Sequence, residues 1–120
     1  MSSYRNNACL YYLSVYQPPI FTLTPDPVEV TEGDDLVLAC KAEGRPVPEI
    51  SWYLGDELLS EDGQHVAIAE QQQGHECSSN VSLRNLLPTL HAGKYTMEAA
   101  NSVGTVRHTV IISGEICSLL

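Results

Sequence analysis

Eight glycines stand at positions 33, 44, 55, 63, 74, 93, 104 and 114, and five of the seven intervals between them are 10 or 11 residues long. That is the spacing of turns joining short strands. Between the glycines, apolar side chains recur at every second residue: Leu36, Leu38, Cys40 and Ala42; Ile50 and Trp52; Val66 and Ile68; Val81 and Leu83; Tyr95, Met97 and Ala99. Successive side chains of a strand point to opposite faces, so each run predicts a strand with one face turned into a core. Val106 to Ile112 adds the β-branched residues that suit a pleated, half-buried surface. Helical spacing is brief where it occurs. Gly55 interrupts Leu54 to Leu59 and Pro88 interrupts Leu83 to Leu90, so turns are expected in both places. The expected fold class is all-β, an antiparallel β-sandwich.

A chain of 120 residues is one domain's worth, long enough to bury about two thirds of its unfolded surface. Six Lys and Arg stand against fifteen Asp and Glu, a formal net charge of −9, which argues against nucleic acid and anionic membrane surfaces as partners. The longest apolar run, Ala8 to Val15 broken by Ser14, falls far short of the ~20 residues of a membrane-spanning helix. Met1 to Gln17 carries one charge, Arg5, and no small-x-small cleavage site follows it, so it does not read as a secretory signal. Pro18-Pro19 marks a boundary. The expected divisions are an N-terminal extension over 1–17 (linker, added strand or remnant), a folded domain over 18–113, and a tail over 114–120. Pro18, Pro19, Pro25 and Pro27 cannot donate ladder hydrogen bonds and confine 18–30 to a sheet edge or an interrupted strand start.

Cys40, Trp52 twelve residues later, and Tyr95 near the start of a late strand form the framework of an immunoglobulin-like sandwich. Pro27-Val-Glu-Val-Thr-Glu-Gly33, Leu36-Val-Leu-Ala-Cys40, Gly44-Arg-Pro-Val-Pro48 and Ile50-Ser-Trp52 resemble the first half of an intermediate-set (I-set) immunoglobulin domain. Ala92-Gly-Lys-Tyr95, Ala99-Ala-Asn101 and Gly104 resemble its second half, so the likeness runs over roughly residues 18 to 113. The core framework the resemblance implies is Cys40, Trp52, Leu83, Tyr95 and Met97.

Two departures from the family pattern carry information. His91 stands where the family has Asp, which is expected to weaken the carboxylate contact that pins the turn before Tyr95. Met97 stands where the family has its second cysteine, so Cys40 lacks its usual partner and the inter-sheet bridge cannot form. A polarizable Met97 thioether against Trp52 is the expected replacement. In a reducing cytosol a lost bridge has no consequence, whereas an extracellular domain gives up a useful constraint. The resemblance therefore implies a cytoplasmic module of the titin, obscurin, palladin or myosin light-chain kinase type. Such a module is structural and protein-binding, a spacer and docking surface in a larger cytoskeletal or sarcomeric protein. Two alternatives are a domain of a cell-surface adhesion molecule or receptor, and an accessory domain of a giant muscle-type kinase or exchange-factor protein.

No phosphate-binding glycine loop, His-Glu-x-x-His, Gly-x-Ser-x-Gly or Cys-x-x-Cys is present, so neither catalysis nor a cofactor is expected. His75-Glu-Cys77 supplies two metal ligands where a closed zinc site needs four, and Cys77 is expected to be a free thiol. Acidic clusters at Glu32, Asp34 and Asp35 and at Asp56, Glu57, Glu61 and Asp62 suit solubility, or docking of a basic partner. Partners are expected to be other proteins, cytoskeletal or neighbouring immunoglobulin domains, or a second copy in a homodimer. The candidate interface is the late strand through Thr105, Arg107, Thr109 and Ile111, with Ile20 to Leu23 as a second edge. Asn80-Val-Ser82 would accept a glycan if the chain were secreted. Cys117-Ser-Leu-Leu120, as a true terminus, would fit prenylation at Cys117 or a PDZ-binding carboxylate at Leu120.

Overall fold

The computed structural model of the chain describes residues 16–115. Among these residues nine strands form two sheets: β1 (Gln17–Leu23), β2 (Val28–Thr31), β3 (Leu36–Arg45), β4 (Glu49–Leu54), β5 (Glu57–Leu58), β6 (Val66–Gln73), β7 (Glu76–Leu83), β8 (Gly93–Ala100) and β9 (Thr105–Glu115). One sheet has the order β1-β3-β7-β6 and the other β2-β9-β8-β4-β5. All pairings are antiparallel except β2 with β9. The prolines explain how the N-terminal segment divides. β1 pairs with β3 through two register breaks, the chain leaves that sheet across Pro25 and Pro27, and β2 joins the opposite sheet beside β9.

The alternating runs deliver their inward faces to one core. Leu38, Cys40, Ala42, Trp52, Val81, Leu83, Tyr95, Met97 and Ala99 are each at most 2% exposed. Leu86 and Ile112 belong to the same tightly buried set, as do Pro48, Cys77 and Ser79.

Two sequence expectations need correction. Pro88–His91 is a one-turn helix, α1, rather than a plain turn. Pro88 opens it, where a fixed φ suits the helix and the missing N–H is not needed; Leu90 and His91 donate their N–H groups to the Leu87 carbonyl. The late strand also runs past 113 to Glu115, pairing residues 112–115 with β2, so β9 is an open edge only upstream of Ile112. Gly114 is required where β9 crosses α1, because a Cβ there would lie 2.6 Å from Pro88 Cβ.

Candidate protein-binding surfaces

The core explains how the sandwich holds without a bridge. Trp52 on β4 and Met97 on β8 are direct register partners, both buried. Across the core, Trp52 Nε1 donates to Ser79 Oγ on β7 at 2.8 Å, so the two sheets are linked by a buried hydrogen bond. Ser79 is the register partner of Cys40, and Cys77, two residues earlier on the same strand, is buried as well. Both cysteines are free. Burial, with the Cys77 thiol adding to it, pushes the Cys40 thiol up to about 12, and burial also raises Cys77. Neither forms a thiolate at neutral pH, so both act as small apolar core residues.

The turn before β8 is pinned despite the substitution at 91. His91 is buried, and its Nδ1 accepts the Leu87 N–H at 3.0 Å, doing with a ring nitrogen what a carboxylate would do. Its backbone carbonyl accepts the buried Tyr95 hydroxyl, and desolvation pushes that phenol up to about 12. The contact expected of a carboxylate at this position is thus made by the imidazole instead. Burial, and then the neighbouring His65 ring at 5.1 Å, hold the His91 pKa below its ordinary value.

The outer face of the five-stranded sheet carries the candidate interface residues. Thr105, Arg107, Thr109 and Ile111 alternate outward along β9 and all four are exposed. Arg107 Nε pairs with Glu98 Oε2 on β8 at 2.7 Å, and the Thr96 and Thr109 hydroxyls lie 3.2 Å apart. With Tyr53, Gly55, Asp56 and Lys94, residues Thr96, Arg107 and Thr109 line a shallow depression of about 350 Å³. On the opposite sheet, Asn80 points outward at the centre of the face, between Ala39 and Ala69 in register, while Val81 is fully buried. In β1, Ile20 is 58% and Leu23 44% exposed. Cys117 and Leu120 lie outside the described residues.

Several acidic residues that read as surface charge are backbone caps. Asp34 accepts from Thr31 N, and Asp35 from Asn85 N, where Asn85 takes a left-handed φ of 51°. Asp62 accepts from the N–H groups of Gln64, His65 and Val66, which lower its pKa to about 2. Glu61 accepts from Ile68 N. Asn101, whose place in the Ala99-Ala-Asn101 motif does not reveal its role, joins three segments: its Nδ2 donates to the Gln17 and Pro46 carbonyls, and its Oδ1 accepts from Val103 N and Gly104 N. A polar residue just past an alternating run and three before a glycine was the available signal. Among the described residues, no group of three or more His, Cys, Asp or Glu side chains could hold a metal ion, and no helix is long and apolar enough to cross a membrane.

Two packed sheets with a Trp52 core and a Tyr95 hydroxyl tied back to the preceding turn define an immunoglobulin-like sandwich. The family described as Immunoglobulin I-set domain matches residues 19–113, and the chain belongs to it. It is 35% identical over 101 residues to neural cell adhesion molecule L1 of Takifugu rubripes, covering 79% of this chain and 8% of that protein. It is 30% identical over 92 residues to the muscle M-line assembly protein unc-89 of Caenorhabditis elegans, covering 77% and 1%. Among solved structures, the complex of titin M10 with the obscurin-like 1 immunoglobulin domain matches with a TM-score of 0.72 at 27% identity, over 87% of this chain and 99% of that one. The chain spans less than a tenth of the length of the curated relatives it matches. Immunoglobulin domains of this kind thus occur in both muscle and cell-adhesion proteins.

Proposed function

We propose that this chain is a non-catalytic protein-binding module of a larger cytoskeletal or sarcomeric protein, working in the cytoplasm as spacer and docking surface. The observation that carries the reading is the bridge-free core. Met97 fills the position of the second cysteine, Cys40 and Cys77 are buried free thiols, and a Trp52–Ser79 hydrogen bond links the sheets. Such a core loses nothing in a reducing compartment. The likeness to the muscle M-line assembly protein unc-89 and to a complex in which titin M10 meets obscurin-like 1 supports the same reading. Docking would use the outer face around Arg107 and Thr109, or a sheet edge, where main-chain bonds give affinity and alternate side chains give selectivity.

Intact mass of the protein from its native cells, alkylated in denaturant without prior reduction so that the buried Cys40 and Cys77 can react, tests this. The expected result is alkylation at all four cysteines and no added mass. Fewer alkylations, or a glycan on Asn80, would overturn it. The second reading, a domain of an adhesion molecule or receptor, is favoured by one specific observation: Asn80 of the Asn80-Val-Ser82 triplet is exposed and flanked by small side chains, so a glycan would meet no obstruction there.

A further inference from the structure

A sandwich has strand edges, and an edge left regular and uncharged pairs with another strand unless something guards it. In this fold the edges differ. β1 carries Pro18, Pro19 and two register breaks, β2 has four residues and β5 two. β6 is different: eight residues in unbroken register with β7, with no proline, lysine or arginine.

Half of that edge is guarded and half is open. The Arg84 N–H donates to the His65 carbonyl at 2.8 Å, so residue 65 and every second residue after it turn their backbone groups towards β7. Val66, Ile68, Glu70 and Gln72 therefore turn theirs outward. The loop before β6 occupies the first of these groups: Val66 N donates to Asp62 Oδ1 at 2.8 Å, the Val66 carbonyl accepts Asp62 N at 3.3 Å, and Ile68 N donates to Glu61 Oε2 at 3.1 Å. Among the described residues, nothing equivalent covers the outward groups of Glu70 and Gln72, and residues 69–73 are all exposed.

We propose that this open half-edge pairs with the same edge of a second copy of the chain, antiparallel about a twofold axis at Gln71. The occupant follows from charge and register. On a molecule of net charge −9, two copies repel over most approaches, whereas the stretch 69–73 carries a single charge, Glu70, among three glutamines. Centring on Gln71 sets Glu70 opposite the partner's Gln72, so each carboxylate faces an amide and no carboxylate faces its own copy. Residues 70 and 72 then exchange four backbone hydrogen bonds across the seam. The register centred on Glu70 would oppose the two carboxylates and would also need the Ile68 N–H that Glu61 already holds, so the guard selects the pairing. The product is one continuous eight-stranded sheet made from two four-stranded ones. This surface is separate from the face around Arg107 and does not depend on the cytoplasmic reading.

Sedimentation velocity of the full 120-residue chain alone, from roughly 10 µM to 1 mM, tests it; four backbone hydrogen bonds are few beside the ~10 of a typical stable interface, so a weak dimer is expected. The mean mass should rise with concentration, and the amide signals that shift should be those of Glu70 to Gln73. Gln72→Pro removes an outward donor without touching the β6–β7 ladder, so it should abolish the rise while leaving the thermal melt in place. Glu61→Ala bares the Ile68 N–H, lengthens the open edge and should strengthen association several-fold. A monomer at every concentration, a dimer indifferent to Gln72→Pro, or shifts centred on β1 or Arg107 would each overturn the proposal. None of these outcomes bears on cysteine alkylation in native cells, so the two tests fail independently.

Discussion

Trp52 and Ser79 join the two sheets through a buried hydrogen bond of 2.8 Å, the indole N–H donating to the hydroxyl. The bond lies beside Cys40, whose register partner is Ser79, and so occupies the region where this family usually places its bridge.

Ser79→Ala leaves the Trp52 N–H buried without an acceptor. That costs about 1–3 kcal/mol, most of it desolvation of the orphaned donor. The denaturant midpoint should fall with an unchanged slope, and the melting temperature should drop by about 4–8 °C for each kcal/mol.

Met97→Cys should change sign with redox state. Under reducing conditions the smaller side chain leaves a void in the core and the variant is less stable than the parent, by about 1–3 kcal/mol. Under oxidising conditions a bridge to Cys40 closes a loop worth about 4 kcal/mol of chain entropy, and the variant becomes the more stable protein. Paired melts with and without reductant check this, and no crossover would show that the two positions do not meet as the family likeness implies.

His91 makes stability depend on pH near neutrality. Burial, and then the His65 ring, hold its folded pKa below the unfolded value near 6.5. The unfolded chain therefore binds more protons in that range. The stabilisation is complete above pH ~6.5 and is lost as the pH falls from there through the depressed folded value. His91→Asn should flatten the profile between pH 7 and 5 when unfolding is followed by urea titration at several pH values.

Asp62 acts lower on the scale. Three backbone N–H groups hold its pKa at about 2, so what it contributes is present above the usual carboxylate value near 4 and disappears as the pH falls towards 2. Asp62→Ala should speed amide exchange at Gln64, His65 and Val66 at neutral pH, with little change in the core amides.

The strands were legible because burial on one face writes a period of two into the chain: Leu36 to Ala42 and Tyr95 to Ala99 announced both their existence and their inward faces. The loss of the bridge was legible too, from Met97 alone. What replaced it was not, because Ser79 is an ordinary serine until β7 is laid against β3 and the opposite sheet brings Trp52 over it. The roles of Asp34, Asp35, Glu61 and Asp62 were hidden for the same reason: a carboxylate at a turn reads as solvated charge, and only the folded loop turns N–H groups towards it. His91 shows the limit most clearly. Its substitution was visible, but its consequence depended on which ring nitrogen faced the Leu87 N–H.

Local sequence thus determined the alternating strands, the turn glycines, the core positions that alternation marks and the family, since each depends on the residue type at a short, fixed spacing. Tertiary structure decided the Trp52–Ser79 link, the capping carboxylates and the contrast between the guarded and open halves of β6. Those depend on directions of donors and acceptors from segments far apart in the chain, and no spacing rule encodes a direction before the sheets have packed.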